Sequence, residues 1–240
     1  MTTFGGHSVP FTIGEGGFSS VWSFIGATLT QLNSTDGAVT FSPIAGNVGD
    51  LLVAASFGAD FVTGNYSSNV LNIGFGKMGN RLATNDANDD LTTAANPGEG
   101  SQTYILRFRL SAGNRSFVRQ VFDSEIGTNP EHGILPALPA DAGITDSLII
   151  CLSGYGANSG FDIGDTTQIL AGNITDNFIF VNGGVNSALP GPLNVSYRSS
   201  CIAYKFEAAA NAIILTDWPS SNSINFNSTA NGYLQRFEIV

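Results

Sequence analysis

Gly49-Asp50-Leu51-Leu52-Val53-Ala54-Ala55-Ser56-Phe57-Gly58-Ala59-Asp60 and Thr145-Asp146-Ser147-Leu148-Ile149-Ile150-Cys151-Leu152-Ser153-Gly154-Tyr155-Gly156-Ala157-Asn158 read as one strand written twice. In each, an acidic residue opens an apolar run and a Gly-Ala-Asp or Gly-Ala-Asn turn closes it. A second matching pair follows: Tyr104-Ile105-Leu106-Arg107-Phe108-Arg109-Leu110 parallels Ile202-Ala203-Tyr204-Lys205-Phe206-Glu207-Ala208. Leu51–Phe57 is almost continuously apolar, which predicts a central strand covered on both faces. Tyr104, Leu106, Phe108 and Leu110 alternate with Arg107 and Arg109, which predicts a half-exposed strand. Two related halves therefore predict one all-β fold.

Working outward, the rest of the chain is strand and turn. Short strands are expected at Ala38–Ile44, Val70–Phe75, Phe178–Val181, Leu193–Tyr197, Ala212–Leu215 and Tyr233–Val240. Ser116–Phe122 is expected to pair with Tyr104–Leu110 across the Ser111-Ala112-Gly113-Asn114 turn. Ile134–Ala140 is too rich in proline for a central strand and reads as an extended connection between the halves. Glu207–Asn211 could form a single helical turn. The sum is an antiparallel β-sandwich of about ten strands.

Residues 1–30 stand apart as a Gly- and Phe-rich N-terminal arm, and residues 31–240 form one sandwich of two pseudo-repeated halves. Phe18, Val21, Trp22, Ile25, Leu29 and Leu32 fall at helical spacing, but their β-branched and aromatic neighbours and Gly26 disfavour a helix. An arm followed by a strand near Ala27–Leu32 is the expectation. Residues 1–26 are the candidate docking element toward a neighbouring subunit.

Composition narrows the function. The chain has 240 residues, 42% hydrophobic, enough for a large single β domain. Only 12% are charged, about half the usual share of roughly 25%. The net charge of −10, with nine scattered Lys and Arg, argues against nucleic acid and against anionic membrane surfaces as partners. No apolar run reaches transmembrane length. The N-terminus lacks the basic and apolar regions of a signal peptide, so an unprocessed product is expected. Cys151 and Cys201 lie in apolar strands; buried thiols are the default, a disulfide between the halves the alternative. Six Asn-x-Ser/Thr sequons occur, as chance predicts in a chain this rich in Asn, Ser and Thr.

Residues with chemical potential are few. His7 and His132 have no partner at triad or metal-site spacing. No nucleophile elbow, phosphate loop or dinucleotide fingerprint occurs. Asp86, Asn88 and Asp90 match the first three ligand positions of a calcium loop. However, Leu91 replaces the turn glycine and Pro97 stands where the closing Glu belongs, so a solvated loop is expected. Asp162, Asp165 and Asp176 could meet only in space, as a glycosidase pair would. Tyr66, Phe161 and Tyr233 are candidate sugar-stacking aromatics. The expectation is no enzyme, no catalytic residues, no cofactor and no bound metal.

The order Gly49–Ala54, a polar loop over Asn80–Gln102, Leu106–Arg109, the Pro-rich link Ile134–Ala140 and Asp146–Cys151 resembles a jelly-roll family of structural proteins of tailed bacteriophages. The likeness covers roughly residues 38–210. The Gly-Trp motif that usually follows the first strand is missing, and Phe61 or Tyr66 would fill its space. The resemblance implies a jelly roll and a virion role, as a capsid decoration protein or a tail-associated piece, assembled in the host cytoplasm. It implies partners in copies of itself, as a trimer, and in major capsid or tail proteins. The alternative is a receptor- or carbohydrate-binding module of a tail or fibre.

Overall fold

The computed structural model describes residues 21–32, 37–57, 59–63, 66–73, 76–95, 101–111, 117–128, 137–138, 141–157, 179–181, 197–210, 213–214 and 229–239. These are almost entirely β, in antiparallel sheets, with one 3-10 turn at Ala87–Asp89. The first half contributes β1 (Trp22–Leu32), β2 (Val39–Phe41), β3 (Leu51–Phe57), β4 (Ala59–Thr63), β5 (Ser67–Ile73), β6 (Gly76–Leu82), β7 (Leu91–Ala95) and β8 (Ser101–Leu110). The second contributes β9 (Phe117–Thr128), β10 (Ala137–Leu138), β11 (Asp141–Ala157), β12 (Ile179–Phe180), β13 (Tyr197–Ala210), β14 (Ile213–Ile214) and β15 (Thr229–Ile239). The described residues thus hold fifteen strand segments where about ten were expected.

Two five-stranded sheets organise the chain, ordered β1-β8-β3-β6-β5 and β12-β13-β11-β15-β9. The twice-written strand lies at the centre of each. Its predicted partner is its neighbour in each, and in the same register. Leu51, Val53 and Ala55 stand opposite Phe108, Leu106 and Tyr104. Leu148, Ile150 and Leu152 stand opposite Phe206, Tyr204 and Ile202.

Alternation along these strands builds the core. Leu51, Val53, Leu106 and Phe108 of the first sheet form one buried cluster with Leu148, Ile150, Tyr204 and Phe237 of the second. Aromatic rings cross between the sheets: Phe24 stacks on Tyr204 at 4.6 Å, and Phe108 meets Tyr204 edge-on at 5.4 Å, geometries that favour ring quadrupoles. The Trp22 indole Nε1 donates to the Asp146 carbonyl at 2.8 Å and ties β1 to the second sheet. The opposite side of β3 is also covered. Leu52 and Ala54 cluster with Ile105, Tyr66, Ala83 and Leu91, and a small sheet, β2-β7-β4, supplies Leu91 and the adjoining Phe41. Leu51–Ser56 are all buried, as a centre strand covered twice requires.

Several local expectations give way. β9 pairs with β15 in the second sheet, not with β8. β8 already has β1 and β3 on its two edges, so no hydrogen-bonding edge remains for a hairpin partner. The expected polar loop at Asn80–Gln102 contains the 3-10 turn and β7, whose Leu91 fills the second cluster. Glu207–Ala210 extends β13 in place of a helical turn, because Glu207 and Ala209 continue the ladder to Ser147 and Thr145. The strand foreseen at Ala27–Leu32 begins at Trp22, so Trp22–Gly26 of the expected docking arm belong to the sheet; residues 1–20 lie outside the described residues. Of the Pro-rich link, Ala137–Leu138 forms β10, paired with β14.

Candidate functional site

The described residues gather their polar chemistry at one end of the first sheet, where β3 begins. The chain turns sharply into β3: Gly49 sits at φ +85°, a conformation glycine tolerates, and the Asn47 amide donates to Asp50 Oδ2 at 2.7 Å. That turn points the Asp50 carboxylate along the sheet face that also carries Arg107 and Arg109 of β8. Arg109 donates from Nε to Oδ1 at 2.9 Å and from Nη2 to Oδ2 at 3.1 Å, a bidentate grip. Arg107 reaches Oδ2 from Nη1 at 3.3 Å. Asp50 is 3% exposed and Arg107 2%, whereas Arg109 is 35% exposed. Asn85, held at φ +58°, accepts from both Arg107 terminal nitrogens at 3.1 and 3.2 Å and donates to the Gly46 carbonyl at 2.8 Å.

Burial raises the Asp50 pKa, but the Arg109 hydrogen bond, the Asn47 amide and the charges of Arg109 and Arg107 outweigh it, and the carboxyl is held below its ordinary value of 3.8. The same bond holds the Arg109 guanidinium more firmly protonated. One buried carboxylate thus locks two arginines and two loops.

Beside this lock lies the acidic stretch read as a possible calcium loop. Asp86 caps the 3-10 turn, accepting from the Asn88 amide at 2.8 Å and from Thr84 Oγ1 at 2.8 Å. The Asn88 amide bond and then the Thr84 bond lower its pKa. Asp89 points inward, taking the Thr84 and Asn85 amides and an ion pair from Arg81 at 3.3 Å. Its carbonyl accepts from the Tyr66 hydroxyl at 2.8 Å. These carboxylates are spent on backbone amides within the turn. Among the described residues no group of three or more His, Cys, Asp or Glu could hold a metal ion.

Tyr66, a candidate for sugar stacking, is buried in the second apolar cluster with its hydroxyl engaged, so it offers no ring to a glycan. Phe161, His7, His132, Asp162, Asp165 and Asp176 lie outside the described residues, and the Tyr233 backbone stands opposite Leu152 in the second sheet. Cys151 pairs with Ala203 and Cys201 with Ser153, which sets the two cysteines diagonally on adjacent strands. The side chains of Cys151 and Cys201 lie outside the described residues.

The second sheet has a charged counterpart. Lys205 and Glu207 pair along β13, and Arg236 Nη1 lies 3.6 Å from Glu238 Oε1 on β15, both of the latter fully buried. Sequence reading had treated Arg107 and Arg109 as the exposed face of a strand. The signal that could have found the lock was the acid placed immediately before each apolar run, but it named no partner. No described helix is long and apolar enough to cross a membrane. No protein family, curated protein or solved structure matches the chain.

Proposed function

We propose that the protein is a non-enzymatic structural component of a tailed-bacteriophage virion, built as a jelly-roll sandwich and serving as a capsid decoration protein. The observation that carries this reading is the meeting of the two segments on which the family resemblance rests. Gly49–Ala54 and Leu106–Arg109 are hydrogen-bonded neighbours in register, and Asp50 clamps both arginines that flank Phe108. An Asp at the head of one strand and an Arg-Phe-Arg in the other then form a physical unit: Phe108 enters the core while its flanking cations close the sheet end.

The supporting physics is mechanical. Antiparallel ladders, a core shared by two sheets and a buried ion lock make a stiff body, and few charged side chains leave surface for burial against other subunits. Copies of the chain, as a trimer matching local symmetry, and major capsid or tail proteins are the proposed partners. Residues 1–20 are the proposed docking arm, since a deletion reaching residue 26 would remove the buried Trp22 of β1. The test is quantitative mass spectrometry of purified particles together with labelling for electron microscopy. Many copies on the shell support decoration. A few copies at the tail, joined by signal on a glycan array, would move the protein to a receptor-binding role. Absence from particles would sink the reading.

A further inference from the structure

We draw no further inference here: the strongest candidate, the buried Arg236–Glu238 pair of β15 on the face of the second sheet turned away from the shared core, carries nothing because no described residue shows what covers that face.

Discussion

Replacing Asp50 by Asn tests whether the ion lock at the head of β3 holds the first sheet together. The substitution keeps the shape and removes the charge, leaving Arg107 buried at 2% exposure without its carboxylate. Breaking a buried ion pair by removing one partner costs about 3–5 kcal/mol. Two features place this case at the low end: Asn85 Oδ1 still accepts both Arg107 terminal nitrogens, and Arg109 can turn to water. The expected loss is about 3 kcal/mol, or a fall in Tm of roughly 6–12 °C at about 2–4 °C per kcal/mol for a chain of this size. Guanidinium unfolding followed by tryptophan fluorescence measures it, with Trp22 as a buried reporter. Arg109→Gln is the internal control: its partly exposed ion pair should cost about 1 kcal/mol or less. The pH dependence has a definite sign. The folded-state pKa of Asp50 is lowered from 3.8, so its contribution is complete above that value and is lost as pH falls through the folded pKa. The gap between wild type and Asp50→Asn should therefore be constant near neutrality and close progressively below about pH 4. A loss under about 1 kcal/mol at pH 7, or a gap unchanged in acid, would refute the lock.

Four further outcomes follow from the same geometry. Gly46→Ala would put a methyl carbon 2.5 Å from both Arg107 Cδ and Asp50 Oδ2, so it should destabilise by about 1–3 kcal/mol in denaturant unfolding. Tyr66→Phe removes a buried bond to the Asp89 carbonyl and should cost about 1 kcal/mol in denaturant unfolding. Burial pushes the Tyr204 phenol up to about 12, so the stability it lends is present below its unfolded pKa near 10 and lost as pH rises through 12; ultraviolet titration should show its ionisation late, together with unfolding. Adding calcium should leave Tm unchanged, since Asp86 and Asp89 are already satisfied by amides and hydroxyls; a clear rise in a thermal melt would contradict that assignment.

The centre of the fold was legible because burial on two faces writes itself as an unbroken apolar run, and β3 and the middle of β11 are such runs. Their neighbours were legible from alternation. What sequence could not supply was pairing at a distance. Ser116–Phe122 looked like the return arm of a hairpin because a turn precedes it, yet β1, ninety residues away from Ser111 in sequence, already binds that edge, with the Ser111 amide bonded to Val21 O at 2.5 Å. β7 was hidden because Leu91-Thr92-Thr93-Ala94-Ala95 is weakly apolar; besides Leu91 in the second cluster, it is held by the buried Thr93, whose hydroxyl meets that of Thr103, which in turn meets Ser56. The Asp50 lock was missed for a related reason. Arginines alternating with Tyr, Leu and Phe imply a wet face, and only a third element folding over that face, here the turn carrying Asn85, makes it dry.

The two halves keep the same inner register and differ on their outer faces, and that difference locates where they have separate work. Arg107 and Arg109 correspond by position to Lys205 and Glu207. In the first half both cations reach back to the acid that opens the strand. In the second, Lys205 pairs with Glu207 on its own strand. Asp146, the matching acid, sits at φ +57° inside a break in the register of β11 with β15, and its carbonyl takes the Trp22 indole. The opener of the first half thus binds its own sheet, while the opener of the second binds the other sheet through β1. A change at Trp22 should accordingly loosen the joint between the sheets, whereas a change at Asp50 should loosen only the first sheet's end. The repeat fixes a common scaffold, and its broken symmetry at the two acids separates locking within one sheet from the joint between the two.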